Sequence, residues 1–363
     1  MASTLKCDTI QNASSATANL TLDDSGNATV GNTLVMGSSF KRNRIINGNL
    51  SVWQRGTTGS LSSYGYVADR WAGGQFNTQT MARSTSVPST AGSIFQYSLQ
   101  AQRPNGATNT GLISAVQIIE SVNIYDLAGQ TVTLSFWAKA GANFSAASSL
   151  LGIQIQTGTV ADQGGAYPYY SWTGVAQPVN TTQAITTTWT KYTFTGTLGS
   201  GVLEAAVVFY FTPVGTAGAD DSFYITGVQL EVGSVATPYE RQIYSDQLAQ
   251  CQRYYWIDRG WPDNTATARF YSGGAYSTTQ SEFVVRHPVT MRSGPTLSAS
   301  AASTFAIYLN ATYTTPTAIQ IYAASVNYAL IYTANPSVAA GLSANLASNP
   351  SSTTTFLSYS AEL

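Results

Sequence analysis

The chain has 363 residues, with 16 Lys or Arg and 17 Asp or Glu, so charged residues make up 9% of the sequence and the net charge is −1. Ordinary soluble domains carry about 25% charged residues, and the absence of a basic run argues against a protein that binds nucleic acid. The hydrophobic content of 44% argues against intrinsic disorder, and no uncharged apolar stretch is long enough to form a membrane-spanning helix.

Residues 1–42 are polar and hairpin-like, with too few apolar side chains to build a core of their own. We therefore expect this segment to pair with other copies of the chain or with another protein. The first ten residues lack the basic and apolar regions of a signal peptide, which predicts synthesis in the cytoplasm without secretion. Cys7 and Cys251 lie far apart and do not suggest a disulfide framework.

Residues 43–240 contain the largest block of regular strands. Apolar and polar residues alternate there with period two, which is typical of half-buried strands. The clearest examples are Thr131–Trp137, Leu151–Gln156, Trp189–Thr195 and Val228–Val232. Breaks rich in Gly, Asn and Ser separate the strands, as expected for a sandwich or barrel. Neither an alternation of strands with helices nor a regular repeat is visible, which disfavours parallel α/β folds, solenoids and propellers.

Residues 241–256 are the one good helix candidate. Ser245 is the expected N-cap and Asp246 would follow in the first turn. The apolar stripe expected to pack against the rest of the protein has helical spacing. It consists of Tyr244, Leu248, Cys251 and Tyr255. Residues 257–363 form a second β block, richer in Ala, Ser and Thr, so the predicted fold class is all-β.

Several motifs resemble the signatures of one group of proteins. They are Asn43–Arg55, Tyr66–Trp71, Leu134–Ala140, Phe223–Gly233, Thr237–Arg241 and Cys251–Tyr255, with shorter matches at Ser3–Ile10 and Phe356–Leu363. In order and spacing they resemble bacteriophage tail-fibre-type virion structural proteins, which carry a jelly roll similar to carbohydrate-binding modules and galactose-binding-like domains. The resemblance implies a central jelly-roll β-sandwich over residues 43–240 and a place on the exterior of a phage particle.

The same resemblance implies several partners. The chain would form a homotrimer, attach to other tail or capsid proteins through residues 1–42, and recognise a host surface glycan through its β domains. Nucleic acid and membrane insertion are not expected. Two alternatives stay open: a purely structural role as a capsid decoration, head fibre or tail connector, and a tailspike that degrades polysaccharide.

The chain departs from sugar-binding jelly rolls at one position. Such domains often hold a structural calcium through a carboxylate that follows the Phe-Tyr-Ile motif, and Thr226 stands there in this chain. Hydroxyl groups are poor calcium ligands beside carboxylates. Asp220 and Asp221 lie just upstream and could substitute, but calcium is disfavoured and no cofactor is expected.

Trp137 is the best candidate for stacking against a sugar. If Leu134 and Phe136 face the core, alternation places Trp137 on the polar face with Lys139 nearby. Gln154 and Gln156 share one face of another strand. The remaining candidates are a cluster in a loop, Tyr169, Tyr170 and Trp172. Two other interpretations stay open: Trp137 fills the core, and the loop aromatics are trimer contacts.

Other polar residues have simpler explanations. Asp69 and Arg70 are expected to form a structural pair that fixes a turn. His287 is the only histidine, no Gly-x-Ser-x-Gly nucleophile motif is present, and the three His and Cys residues are too scattered for a zinc site. We therefore expect no enzymatic activity, although two carboxylates in a cleft would suffice for a glycosidase.

Overall fold

A computed structural model describes residues 9–10, 20–22, 28–30, 41–74, 76–89, 94–165, 172–260, 267–335 and 337–363. Residues 1–42 form one compact unit and residues 43–363 another. The first unit contains β1 (Thr9–Ile10), β2 (Leu20–Leu22) and β3 (Ala28–Val30). These three strands form an antiparallel sheet in chain order, in which Leu20 lies opposite Val30.

The second unit begins with twelve strands. They are β4 (Thr58–Leu61), β5 (Gly65–Tyr66), β6 (Ala72–Gly73), β7 (Gln79–Ser84), β8 (Ser98–Gln102), β9 (Ile113–Ile119), β10 (Thr131–Ala140), β11 (Leu150–Gly158), β12 (Ala176–Ala184), β13 (Thr190–Thr197), β14 (Glu204–Phe211) and β15 (Ser222–Val232). Short 3-10 helices lie at Ser121–Asn123, Tyr125–Leu127 and Ala147–Ser149.

Two six-stranded sheets pack face to face in this part of the chain. Sheet I has the order β13-β10-β15-β8-β7-β4, and sheet II has the order β12-β11-β14-β9-β6-β5. Phe136 of sheet I and Phe209 of sheet II meet in the shared core, with ring centroids 4.6 Å apart. Trp71 lies 6.2 Å from Phe209 in the same core. The alternation found in the sequence is thus confirmed, because alternate residues of each strand fill the space between the sheets.

The helix α1 (Tyr244–Gln252) is shorter than predicted. Ile243 occupies the N-cap position without a side-chain cap, so Ser245 lies inside the first turn. Tyr244 is 58% exposed because the buried face of the helix is formed by Gln247 and Cys251 instead. None of the helices among the described residues has the length and hydrophobicity needed to cross a membrane.

Ten strands follow the helix. They are β16 (Tyr255–Asp258), β17 (Arg269–Ala275), β18 (Gln280–Arg286), β19 (Thr296–Ala299), β20 (Phe305–Leu309), β21 (Thr312–Thr314), β22 (Ala318–Ala324), β23 (Tyr328–Ala334), β24 (Ser343–Ser348) and β25 (Leu357–Ser360), with a 3-10 helix at Ala302–Thr304. Tyr255, predicted as the end of the helical stripe, therefore begins a strand.

The later strands build a second pair of sheets. Sheet III has the order β16-β25-β19, and sheet IV has the order β21-β20-β24-β17-β18-β23-β22. Trp256 and Tyr359 of sheet III stack at 4.3 Å and share a hydrophobic core with Phe283 and Ile331 of sheet IV. The predicted all-β fold with a jelly-roll sandwich is confirmed.

Candidate functional site

Trp137 and Lys139 lie on the outer face of sheet I. Phe136 and Ala138 alternate with them and are completely buried in the core. Trp137 is half-buried and lies opposite Lys191 on β13 and Thr226 on β15. Both side chains therefore lie on the face of β10 opposite the core, as alternation predicted.

A cluster of polar side chains continues from Lys139 across sheet I. Its centre is the phenol of Tyr224, which donates a hydrogen bond to Asp220 Oδ1 (3.1 Å) and accepts one from Gln100 Nε2 (2.8 Å). Ser222 Oγ also donates to Asp220 Oδ1, at 2.5 Å. Burial raises the pKa of Tyr224, and the neighbouring Asp220 carboxylate raises it further. The phenol thus stays protonated and keeps its role as a donor.

Two aromatic rings flank the ammonium group of Lys139. Lys139 Nζ lies 4.5 Å from the ring centroid of Tyr224 and 5.8 Å from that of Trp189. The two rings meet edge to face at 6.4 Å. Within the part of the chain that the structure describes, no hydrogen bond or ion pair engages this ammonium. Its attraction to the rings fixes its position and leaves its three N–H donors available.

We name this group the Tyr224 cluster. It comprises Gln100, Lys139, Trp189, Asp220, Ser222 and Tyr224. It combines a partly exposed indole, an amide, a carboxylate and a cation within one patch. Carbohydrates present C–H faces that pack on aromatic rings, together with hydroxyl groups that both donate and accept hydrogen bonds. Both kinds of contact are available only from the partly exposed members, since Ser222 and Tyr224 are buried. The partly exposed members are Gln100, Lys139, Trp189 and Asp220.

Gln154, Gln156 and Trp172 lie on a different surface from Trp137. Gln154 and Gln156 are on β11 in sheet II, and their side chains are on the face opposite the shared core, as alternation predicted. Both are almost fully buried, and Trp172 is buried with Val116 and Val208 on the same face. The sequence analysis placed these residues in one site with Trp137, whereas the fold divides them between two sheets. Tyr169 and Tyr170 lie outside the described residues.

Glu204 is a buried carboxyl group near this second face. Its Oε2 accepts a hydrogen bond from the backbone of Gln163 (3.0 Å), while Oε1 is buried without a hydrogen-bond partner in the described part of the chain. Burial raises the pKa of Glu204 to about 8, Asp162 adds to the rise, and Arg292 opposes it. A carboxyl group with this pKa could donate a proton near neutral pH, but its complete burial keeps a substrate away.

Asp69 and Arg70 do not pair with each other. Asp69 accepts hydrogen bonds from the backbone and side-chain nitrogens of Gln54, both at 2.7 Å. Arg70 forms an ion pair with Glu362, and its guanidinium stacks 3.6 Å from the ring centroid of Tyr254. The predicted pairing of these two neighbours is therefore wrong, since each side chain has partners elsewhere. Arg70 has a positive φ of 70°.

The two acidic residues considered as calcium ligands are occupied by protein groups. Asp221 is buried, pairs with Arg103 at 3.3 Å, and accepts a hydrogen bond from Ser145 Oγ. Asp220 belongs to the Tyr224 cluster, and Thr226 donates to the backbone of Tyr97. The described residues contain no group of three or more His, Cys, Asp or Glu arranged to hold a metal ion.

Sequence reasoning found Lys139 but missed most of its surroundings. Tyr224 and Ser222 alternate along β15 with the core residues Phe223 and Ile225, so period-two analysis of this strand could have placed them on the outer face. Trp189 and Gln100 come from other parts of the chain, and only the order of strands in sheet I brings them to Lys139.

No known protein family matches the chain, and no curated protein matches it. Among solved structures, the enzymatically active domain of tailspike protein 4 from Bacteriophage CBA120 is similar at 16% identity, with a TM-score of 0.34 over 53% of this chain. The chain spans only 22% of that protein's length. The CBM22-1 xylan-binding domain of Paenibacillus barcinonensis Xyn10C is similar at 13% identity and a TM-score of 0.30, covering 53% of this chain and 96% of that domain.

TmCBM61, solved in complex with β-1,4-galactotriose, is similar at 12% identity and a TM-score of 0.29, over 53% of this chain and 99% of that one. These are similarities to other proteins at low identity.

Proposed function

We propose that the chain is a virion structural protein of the bacteriophage tail-fibre type, which recognises host surface glycans. The observation that carries the glycan part of this proposal is the Tyr224 cluster, where the half-buried Lys139 and Trp189 lie beside hydrogen-bonding groups on the outer face of sheet I. The motifs that resemble tail-fibre-type proteins support the virion part. Residues 1–42, a compact unit with one small sheet, are the proposed attachment segment.

The proposed mechanism is multivalent adhesion. A half-buried patch of this kind makes few contacts with a sugar, so a single site would bind weakly. Several copies on one particle would raise the avidity without a tighter individual site. Because only 9% of residues are charged, this adhesion would depend little on salt.

We propose that binding occurs without cleavage of the glycan. Glu204, the buried acid described above, is inaccessible to a polysaccharide. Asp220 is engaged by Ser222, Tyr224 and Gln100 and shares no proton with a second carboxylate in the cluster. Incubating the protein with host polysaccharide and assaying reducing ends tests this part, because their release would contradict it.

The adhesion proposal is tested with purified protein on host cells. The wild type should bind the cells and block adsorption of the phage, whereas Lys139→Ala should do both markedly less well at the same concentration. Arg286→Ala is the matched control, since Arg286 also places a cation over a tyrosine ring, that of Tyr328 at 5.4 Å, but in sheet IV. The proposal fails if the wild type neither binds the cells nor competes with the particle.

A further inference from the structure

A groove runs across the outer face of sheet IV, far in sequence from the Tyr224 cluster. Its volume is about 430 Å³, within the range of roughly 300–1,000 Å³ typical of small-molecule sites. The lining comes from β17 and the residue that follows it, from β18, β23 and β24, and from the turn before β24. It consists of Ser272, Gly273, Gly274, Ala275, Tyr276, Glu282, Val284, Leu330, Gly341, Leu342 and Ser343.

The floor of the groove is open because Gly274 lacks a side chain. The neighbouring Gly273 is required by packing, since a Cβ there would lie 1.9 Å from the carbonyl oxygen of Glu282. At Gly274 an added Cβ would meet only the carbonyl oxygen of Leu342, at 3.7 Å, which is an ordinary contact. Packing therefore does not require glycine at this position, and a side chain there would fill the groove.

Apolar side chains line the walls and remain exposed to water. Tyr276 is 72% exposed, Val284 is 60% exposed and Leu342 is 43% exposed. Single exposed apolar residues are ordinary, but a group of them around one concave surface is typical of a binding site for a ligand or another protein. Tyr276 offers an aromatic face, and the hydroxyl groups of Ser272 and Ser343 lie on the adjacent strands.

The charge and position of the groove restrict the ligand. Of the described residues that line it, only Glu282 is charged. Its carboxylate accepts hydrogen bonds from hydroxyl groups and repels phosphates, sulfates and acidic sugars. A peptide that adds a strand needs a sheet edge, and the edges of sheet IV are β21 and β22 rather than the strands of the groove.

We infer that this groove is a second saccharide-binding site, which takes a neutral sugar unit against Tyr276 with its hydroxyl groups directed to Glu282, Ser272 and Ser343. The inference goes beyond the proposed adhesion through the Tyr224 cluster and does not depend on it. The two sites lie in different sandwiches, so each chain would have two attachment points.

Saturation-transfer NMR tests the inference on the full chain. The probes are lactose, maltose, cellobiose and N,N′-diacetylchitobiose at millimolar concentration, with 3′-sialyllactose as the acidic comparison. The protein carries Trp189→Ala, which disables the Tyr224 cluster, so that any remaining signal belongs to another site. We expect at least one neutral disaccharide to bind. Adding Gly274→Val should lower its affinity roughly tenfold or more, and adding Glu282→Gln should also weaken it.

Ala334→Val is the matched control for Gly274→Val, because Ala334 lies on β23 of the same sheet and does not line the groove. Circular dichroism should show that both valine variants fold.

Three results would overturn the inference: no neutral disaccharide binds, binding survives Gly274→Val, or Gly274→Val changes the mass in light scattering without changing sugar binding. The last result would make the groove a contact between copies of the chain. If the wild-type protein does not adhere to host cells, the adhesion proposal fails, but these sugar-binding measurements are unaffected. The two proposals can therefore fail separately.

Discussion

The guanidinium group of Arg70 forms an ion pair with the carboxylate of Glu362, which lies 292 residues later in the chain. Both side chains are nearly inaccessible, at 1% and 6% exposure. Arg55 makes a second contact with the same carboxylate at 3.1 Å. Arg292 donates to the backbone oxygens of Ala361 and Glu362, so the segment around Glu362 joins sheets I and II to the later strands.

Glu362→Gln should lower the stability of residues 43–363 substantially. Removing one charge from a buried ion pair leaves the other unpaired, which costs about 3 kcal/mol. Arg70 loses its carboxylate partner, and Arg55 keeps only its longer contact with Asp69, at 3.8 Å. Denaturant unfolding measures the change. Asp126→Asn is the control, because the pair of Arg44 and Asp126 is more exposed and should contribute less than about 1 kcal/mol. Equal effects of the two variants would show that the Glu362 pair is not a main stabilising contact.

Substitution of Trp189 should give a graded loss of glycan affinity. Trp189→Phe keeps an aromatic face beside Lys139 and should retain part of the binding, whereas Trp189→Ala should remove most of it. Thr193, on the strand β13 that follows Trp189, is exposed, and Thr193→Ala serves as the control. Calorimetric titration with a host glycan measures the series. If the Trp189→Ala and Trp189→Phe variants bind the glycan equally well, the indole of the wild type does not stack on the ligand.

The Glu204 carboxyl predicts a dependence of stability on pH. Its folded pKa of about 8 lies above the usual value of 4.5, so between these values the folded state keeps a proton that the unfolded state has lost. The stabilisation is complete below pH 4.5, falls as the pH rises, and is lost above pH 8. In a Glu204→Gln variant the side chain cannot ionise, so this dependence on pH is removed.

Glu204→Gln should therefore be more stable than the wild type at pH 8, by on the order of 2–4 kcal/mol, and nearly equal to it at pH 4.5. Thermal unfolding at the two pH values measures the difference. Glu282→Gln, at a half-buried carboxylate of sheet IV, is the comparison. A constant difference across this range would mean that Glu204 is already ionised in the folded protein.

Cys251 should be unreactive in the native protein. Its thiol is completely inaccessible, and burial raises its pKa well above the ordinary value, so the reactive thiolate is scarce. In a Cys7→Ser variant, a thiol reagent such as DTNB should label the chain only after denaturant is added. Rapid labelling under native conditions would show that helix α1 opens readily.

The proposed trimer predicts a mass of three times the 38.4 kDa chain. Light scattering coupled to size-exclusion chromatography measures it. Deletion of residues 1–42, the separate compact unit, shows whether that segment is responsible for the association. A full chain that runs as a monomer near 38 kDa would contradict the trimer.

The sequence predicted strands well because a period of two is a local property. β10, β11, β13 and β15 all lie where alternation placed them. It failed where partners are distant. Gln154 was correctly assigned to the outer side of its strand, but alternation does not say in which sheet that strand lies. The contact between Arg70 and Glu362 left no local signal at all. The helix begins at Tyr244, one residue before its predicted cap, and buries the polar Gln247, which the apolar stripe did not include.

At the end of β10, the half-buried Trp137 and Lys139 alternate with Phe136 and Ala138, which fill the core. Lys139 can therefore change while Phe136 and Ala138 stay the same. Under the proposed adhesive function, such a chain would change its glycan preference through substitutions at the outer positions while its core side chains stay the same. Selection for host range and selection for stability would then act on neighbouring positions of one strand without opposing each other.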